Sequence, residues 1–260
     1  MKILALDSSG LVASVAVVED DRLVAEYSVQ YKKTHSQTLL PMLEEIRRRT
    51  ELDMETLDAI ALAAGPGSFT GLRIGSATAK GLGLALDIPI VEIPTLEGLA
   101  YNMYGAKDYI CPIMDARRGQ VYTGIYKFTQ EEATEGMSQI HGEAAGGLCA
   151  QPSGCRFRTV EPQCAVAIEE IAKKLNDLGG RVIFLGDGVP VFQECLKGLM
   201  QTAYSFAPPH MNRQRAASIA ALGCIYWKEG RAVKAGEHIP VYLRQSQAER
   251  ERDERGGGTA

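Results

Sequence analysis

The sequence has no excess of positive charge. Its 260 residues carry a formal net charge of -4, and the sequence pI is about 5.7. A protein that binds nucleic acid by itself usually presents a basic surface, because contacts with phosphates require Lys and Arg. The basic residues here form only local clusters, at 47–49, 117–118 and 213–215, and the first lies where a predicted helix ends. The composition therefore argues against independent binding of nucleic acid.

Long apolar runs are also missing. No stretch is long enough to span a bilayer, and the apolar run at residues 3–6 is too short for a signal peptide. We therefore expect a cytoplasmic protein whose cysteines are reduced.

Metal-binding spacings are missing as well. The six cysteines form no Cys-x-x-Cys pair, and the four histidines form no His-x-x-x-His pair. His141 with Cys149, Cys155 and Cys164 matches no common zinc pattern. We expect no metal site, and no Ser-His-Asp or Cys-His set can be argued from residue order.

What the chain does contain is an ordinary apolar content, 45%, over enough residues for two domains. Its first part is typical of three antiparallel strands, followed by helices that alternate with strands. Pro41 is best tolerated in the first turn of a helix, so we expect the first helix to start late or to bend. The predicted strands are 3–6, 11–18, 23–29, 57–64 and 88–93, and the predicted helices are 36–49, 69–86 and 95–104.

The pattern then starts again. Residues 3–7 and 110–115 are both apolar strands closed by Asp and followed by a polar turn and a β-rich strand. We interpret this as an internal duplication of one α/β unit, although each feature is common by itself. Residues 129–163 predict an irregular insertion. The later predicted elements are strands 109–114, 120–128 and 182–185 and helices 165–178, 189–200 and 216–227.

A glycine loop, Gly65–Gly71, joins a predicted strand to the helix 69–86. Leu72 and Arg73 follow the last glycine, so the Lys-Ser/Thr pair of a Walker A loop is missing. Ser68 lacks the two flanking glycines of a nucleophile elbow. Backbone N–H groups at the start of a helix can bind an anion, and a structural turn without a ligand explains the loop at least as well.

The helix after this loop carries small residues on one face. Gly71, Gly75, Ala79 and Gly83 recur every four residues. Each glycine inside a helix costs about 1 kcal/mol relative to Ala, so a compensating close approach by another backbone is expected. That backbone could belong to the protein's own sheet or to a helix of a partner, and spacing does not choose between them.

Three aspartates follow predicted strands: Asp7, Asp115 and Asp187. Carboxylates at such positions can hold a metal-bound phosphate. Asp is also a common turn residue, so a structural role is the default interpretation.

Several of these stretches together resemble the TsaB (YeaZ) family. The opening strand with its turn, Ile3–Ser9, matches, and so do the helix motif His35–Pro41 and the glycine loop as far as Gly75, which Ala79–Gly81 continues. Residues 115–122, 186–188 and 240–244 match in the same order. The resemblance covers nearly the whole chain, apart from 129–163 and the tail.

This resemblance implies an α/β fold of the actin-like ATPase type, related to Hsp70 and sugar kinases. It consists of two duplicated α/β domains, of which the second is reduced. We accordingly expect a first domain at 1–105, a second at 106–210, a final helix at 211–230 that packs on the first domain, and a disordered tail at 246–260.

The resemblance also implies a function in tRNA modification. A TsaB-like protein is the non-catalytic scaffold and activator of its paralogue TsaD, which transfers threonylcarbamoyl to adenosine 37 of tRNAs that read ANN codons (t6A formation). The ATPase TsaE is a further expected partner, tRNA is reached through the complex, and no membrane is involved. The chain offers His35 alone where the catalytic paralogue has a histidine pair.

Two alternatives stay open at this point. One is a glycoprotease-like metallopeptidase or an ATPase of the same superfamily, and the other is a homodimeric binding protein. We expect no tightly bound cofactor, with ATP or ADP at the complex interface as a candidate.

The resemblance places a partner interface on the helices 36–49 and 69–86. The residues implied in that interface are His35, Leu39, Met42, Leu43, Ile46, Gly71, Leu72, Gly75, Ala79, Leu82 and Gly83. The candidate nucleotide or anion residues are Asp7, Ser8, Ser9, Gly65, Gly67, Ser68, Asp115 and Arg117.

Overall fold

A computed structural model of the protein describes residues 1–20, 22–31, 34–130 and 155–244. Residues 131–154 and 246–260 lie outside the described residues, and with them part of the predicted insertion and the predicted tail. None of the helices in the described ranges has the length and apolar character needed to cross a membrane.

The structure contains eleven strands and six α-helices among the described residues. The strands are β1 Lys2–Asp7, β2 Ala13–Glu19, β3 Arg22–Val29, β4 Ala59–Gly65, β5 Ile90–Pro94, β6 Tyr109–Asp115, β7 Gln120–Gln130, β8 Cys155–Ala167, β9 Val182–Leu185, β10 Tyr204–Phe206 and β11 Ala232–Val233. The helices are α1 His35–Thr50, α2 Phe69–Leu86, α3 Thr95–Tyr101, α4 Ile168–Leu178, α5 Val189–Leu199 and α6 Ala216–Lys228.

The first sheet has the order β11-β5-β4-β1-β2-β3. β1, β2 and β3 form the predicted antiparallel meander, with Ala5 opposite Ala16. β4 and β5 then join in parallel, with Ala5 opposite Ala61. Parallel strands need crossover connections, and α2 supplies the one between β4 and β5.

The second sheet has the order β10-β9-β6-β7-β8 and repeats the first. β6, β7 and β8 are antiparallel neighbours, β9 pairs in parallel with β6, and β10 pairs in parallel with β9. The first five strands of each unit, numbered within that unit, therefore have the order 3-2-1-4-5, and the first sheet adds β11 beside β5. This shared order confirms the predicted duplication and the two-domain, actin-like α/β fold.

Helices cover both faces of the first sheet. α1 and α2 bury one face around Leu4 and Leu62. α6 covers the other face, where Gly223 lies so close that a Cβ on it would stand 2.6 Å from the Cβ of Ala61. The apolar strands β1 and β4, buried on both sides, are the reason that the runs at 3–6 and 57–64 are continuous rather than alternating.

Four sequence-based expectations need correction. Residues 155–163 of the predicted insertion belong to the strand Cys155–Ala167, and because this strand continues to Ala167, α4 begins at Ile168 rather than at 165. The predicted helix 95–104 ends earlier, at Tyr101. Pro41 lies at the seventh position of α1, so the helix does not start late, and the alternative, a bend at Pro41, stays a prediction. Two short strands, β10 and β11, were not predicted.

The polar character of β8 explains why its sequence did not indicate a strand. Most of its N-terminal half is exposed, and it forms the edge of the sheet. Backbone pairing with β7 holds this strand in place, and a continuous apolar face is not needed. The pairing runs from Cys155 opposite Gln130 to Ala167 opposite Gln120. The domain limits at 105 and 210 stay predictions.

Candidate functional site

The glycine loop between β4 and α2 folds back onto the β1–β2 turn. Ser68 caps α2, because its Oγ accepts the Gly71 N–H at 3.3 Å. The Ser68 N–H itself donates to the Ser9 carbonyl at 2.7 Å. A Cβ on Gly67 would lie 2.3 Å from that same carbonyl oxygen. This loop is therefore a close-packed internal turn, and one of its backbone donors is already used within the chain.

The small face of α2 also points inward. A Cβ added to Gly71 would lie 2.0 Å from the Ser8 carbonyl oxygen, and one added to Gly75 would lie 2.5 Å from Ser8 Oγ. At the other end of the helix, a Cβ on Gly83 would lie 2.6 Å from the Cβ of Ala235. The backbone that approaches this face closely is thus the protein's own. The interpretation that a partner helix compensates these glycines is wrong.

Most of the large residues implied in the partner interface are in the core as well. Five of the apolar side chains, and Ala79 with them, are 0–6% exposed, because they pack on β1, β2 and β4. Side chains with so little exposed area mainly support the helices, and of this set only Leu43 also reaches a surface groove. The set consists of Leu39, Met42, Leu43, Ile46, Leu72 and Ala79.

The outward faces of the two helices carry a different set of residues. On α1 the exposed residues include Leu40, which is 52% exposed, together with Pro41 and Glu44. On α2 they include Ala77, Gly81, Leu84 and Ala85, with Leu84 65% exposed, and Thr70 and Arg73 are exposed nearer the start of the helix. A shallow groove of about 520 Å³ runs between the helices, and the half-buried Leu82 lines it beside Leu40, Pro41, Leu43, Glu44, Arg47 and Met54.

Gly81 is the one glycine of α2 whose presence is not explained by a close contact within the chain. A Cβ placed on it would meet nothing within 4 Å, and the residue is exposed. A glycine inside a helix costs about 1 kcal/mol relative to Ala. Its neighbours on the same face, Ala77 and Ala85, are also small. This outward face is therefore flat enough for another helix to approach closely.

His35 begins α1 and is held by the chain itself. Its Nε2 lies 2.8 Å from the Gly10 carbonyl oxygen, which ties α1 to the β1–β2 turn. Across residues 1–20, 22–31, 34–130 and 155–244, no three His, Cys, Asp or Glu side chains lie close enough to hold a metal ion.

Asp7 closes β1 and is almost completely buried. Burial raises the pKa of its carboxyl from 3.8 to about 6, against the effect of two hydrogen bonds from Ser9. These bonds come from the Ser9 N–H at 2.9 Å and the Ser9 Oγ at 2.6 Å. Ser8 Oγ donates to the Gly71 carbonyl at 2.9 Å. The polar groups of this turn are thus engaged with one another.

A cleft of about 550 Å³ lies between the two sheets. This volume is in the range of small-molecule sites. Five of the eight candidate nucleotide or anion residues line it: Ser9, Gly67, Ser68, Asp115 and Arg117. The other three, Asp7, Ser8 and Gly65, are buried behind this lining.

The charges in the cleft nearly balance. Asp115 accepts the backbone N–H of Arg117 at 2.7 Å and pairs with its guanidinium at 3.1 Å. Asp187 accepts the Asp115 N–H at 3.3 Å, and burial raises the pKa of Asp187 above its ordinary value. Arg244 is the other cation of the lining. Two carboxylates facing two guanidinium groups do not by themselves attract a polyphosphate.

Sequence reasoning missed one series of hydrogen-bonded polar side chains near this region. His238 is 1% exposed and lies between Ser76 and Glu92, which come from α2 and β5. Residues 76 and 238 are 162 positions apart, so no local spacing could indicate the contact. The similarity of residues 240–244 to a family motif was the only sequence signal near it.

Comparison with known proteins gives a consistent result. Residues 23–252 match the family model described as TsaD, tRNA N6-adenosine threonylcarbamoyltransferase. The chain is 32% identical to the tRNA threonylcarbamoyladenosine biosynthesis protein TsaB of Bacillus subtilis, over 96% of both chains. It is 27% identical to TsaB of Escherichia coli, over 95% of this chain and 96% of that protein. The solved structure of YeaZ from Pseudomonas aeruginosa superposes with a TM-score of 0.72 at 26% identity, covering 93% of this chain and 99% of that one.

Proposed function

The chain belongs to the TsaB (YeaZ) family of tRNA threonylcarbamoyladenosine biosynthesis proteins, and we propose that it acts in t6A formation as a non-catalytic subunit that scaffolds and activates TsaD. The single observation that carries the proposal is the outward face of α1 and α2. Around Leu40, Pro41, Ala77 and Leu84 this face is exposed and largely apolar, with charged residues at its rim, and it contains a helical glycine that nothing in the chain approaches.

The chemistry of that face fits a second pair of helices. Leu40 and Leu84 supply exposed apolar surface, and Gly81 with its small neighbours permits a close crossing. Glu44 and Arg47, exposed at the rim of the groove, supply charges that can set the orientation of a partner. A paralogue with the same fold has two helices in the equivalent places, so the proposed contact is a four-helix arrangement.

The absence of catalysis by this chain alone is part of the proposal. His35 is engaged with the Gly10 carbonyl, and the polar groups of Asp7, Ser8 and Ser9 bond to one another and to the glycine loop. A peptidase or ATPase of the same superfamily is not favoured, because the relatives at 32% and 27% identity are TsaB proteins. We place the chain in the cytoplasm, with the modification that it serves.

Nucleotide, TsaE and self-association belong to the same proposal. We expect no tightly bound cofactor in the isolated chain, since the cleft charges balance, and any ATP or ADP contact to need the assembled complex. A fluorescent ATP analogue titrated into the chain alone and then with TsaD tests this expectation. TsaE would join the complex of the two paralogues, and without TsaD the same helix face would pair with a second copy.

The experiment that tests the scaffold is co-purification with TsaD. Gly81→Leu places a large side chain on the outward face, where the chain itself offers open space, so the fold is preserved. Gly198→Leu is the matched control, because Gly198 is also an exposed helical glycine with nothing within 4 Å, on α5 of the second unit. We expect Gly81→Leu to lose TsaD and Gly198→Leu to retain it. Equal retention of TsaD by the two variants would contradict the proposed interface.

A further inference from the structure

The last described segment, residues 238–244, is anchored to the first unit by a buried histidine. His238 Nε2 lies 2.7 Å from Ser76 Oγ, and His238 Nδ1 lies 2.5 Å from Glu92 Oε1. Its carbonyl accepts the Lys80 ammonium at 3.1 Å. Three side chains from α2 and β5 therefore fix one end of this segment.

The Ser76–His238–Glu92 order has the hydrogen-bond pattern of a hydrolase relay, but the site does not have its other requirements. Ser76 is the eighth residue of the 18-residue α2, and it is 6% exposed. Backbone N–H groups in the middle of a helix are used by the helix itself and cannot form an oxyanion hole. This polar chain is therefore an anchor.

From the anchor the segment runs along the end of β4. The Val241 N–H donates to the Ala64 carbonyl at 2.7 Å. A Cβ on Gly65 would lie 2.2 Å from the Val241 carbonyl oxygen, and Gly65 has a φ of +123°, so only glycine suits this place. The Tyr242 ring packs on the Phe69 ring, with centroids 4.9 Å apart.

The segment then crosses to the second unit. Arg244 Nη1 donates to the Ala116 carbonyl at 2.6 Å, and the Arg117 carbonyl lies 3.5 Å from the same nitrogen. Both carbonyls belong to the turn between β6 and β7. Hydrogen bonds from a charged donor are among the stronger ones that a protein forms. Seven residues thus connect α2, β4 and β5 of one sheet to a turn of the other.

We propose that residues 238–244 are an interdomain strap that sets the opening of the cleft between the two sheets. Residues 241–244 line that cleft, so the strap joins the two units within the cleft wall. Other contacts also join the units: Leu96 and Leu99 of α3 pack in one buried cluster with Ile110 of β6, the Tyr101 and Phe157 rings lie 5.6 Å apart, and Gln163 Nε2 donates to the Gly65 carbonyl at 3.2 Å. The strap therefore acts on the cleft side.

Hydrogen exchange and small-angle X-ray scattering of the full chain test the strap. Arg244→Ala removes the contact with the second unit, and Arg118→Ala is the control, because it removes a cation from the same β6–β7 turn. In Arg244→Ala we expect the Val241 amide to exchange about tenfold faster, the change that loss of one charge-assisted hydrogen bond produces. We also expect a larger radius of gyration, because the cleft opens about the α3 contacts that keep the units joined.

Arg118→Ala should behave as the wild type, and Arg244→Lys, which can still donate to Ala116, should restore part of the protection. Three results would overturn the proposal. The first is equal exchange and equal scattering for Arg244→Ala and wild type. The second is an equal effect of Arg118→Ala. The third is a Val241 amide that exchanges in the wild type at the rate of an unstructured peptide.

Discussion

Burial of Asp7 makes the stability of this protein depend on pH in a specific way. The difference between a pKa of 3.8 and a pKa of about 6 corresponds to ~3 kcal/mol of preference for the protonated carboxyl in the folded state. Because the folded-state pKa is the higher one, this stabilisation is fully present below about pH 3.8 and is lost as the pH rises through about 6. Ionised Asp7 therefore destabilises the protein at neutral pH.

Asp7→Asn isolates this contribution. Asn keeps an oxygen that can accept the Ser9 N–H and Oγ, but it never ionises. Between about pH 4.5 and about pH 7.5, we expect the pH-dependent loss in the free energy of unfolding to be ~2 kcal/mol smaller in the variant than in the wild type. Urea unfolding at the two pH values measures it. Asp177→Asn, at an exposed position of α4, is the control and should leave the pH dependence as it is.

The reasoning would be refuted if Asp7→Asn had the same pH dependence as the wild type. That result would mean that Asp7 is ionised at neutral pH without cost. It would then also be free to interact with a cation.

Two further predictions concern the helices. Gly75→Leu should lower the free energy of unfolding by roughly 1–3 kcal/mol or more, because even its Cβ would meet Ser8 Oγ at 2.5 Å. Urea denaturation measures it, and an unchanged stability would contradict the inward orientation of the small face. Glu51→Gly should raise the melting temperature through a gain of about 0.5–1 kcal/mol, since Glu51 ends α1 at a φ of 52°, which is unfavourable for a residue with a side chain. A lower melting temperature would show that this cap is not strained.

Several elements in both units could be predicted because their sequence signals are local. The bounds of α2, 69–86, coincide with the prediction, since the capping Ser68 and the glycine loop mark its start. The strand β9, 182–185, also coincides, because a short apolar run there ends in a glycine turn. The repeated strand-Asp-turn pattern predicted the duplication, although one match of this kind is weak alone.

The direction in which the small face of α2 points could not be predicted from spacing. Glycines every four residues indicate that a backbone comes close, but they do not say whose backbone it is. In the structure the residues of the β1–β2 turn occupy that space at Gly71 and Gly75, while Gly81, about half a helical turn from Ala79 and Gly83, lies on the opposite, open face. Family resemblance pointed to α1 and α2, and most of the interface residues that it implied lie on the inward faces of these helices.

Two other features depend on long-range contacts. β8 is an exposed edge strand that its pairing with β7 stabilises, so its own sequence indicated an irregular segment. The anchor at His238 joins residues from three separate parts of the chain. Neither feature is marked by a local apolar periodicity, because both depend on contacts between segments that are far apart in the sequence.

The t6A content of tRNA is the most direct measurement of the central claim. In cells depleted of the native chain, re-expression of the wild type or of Gly198→Leu should restore t6A, and Gly81→Leu, expressed at the same level, should not. Full restoration by Gly81→Leu would contradict a scaffold that works through the outward face of α1 and α2. Unchanged t6A on depletion would contradict the proposed function as a whole.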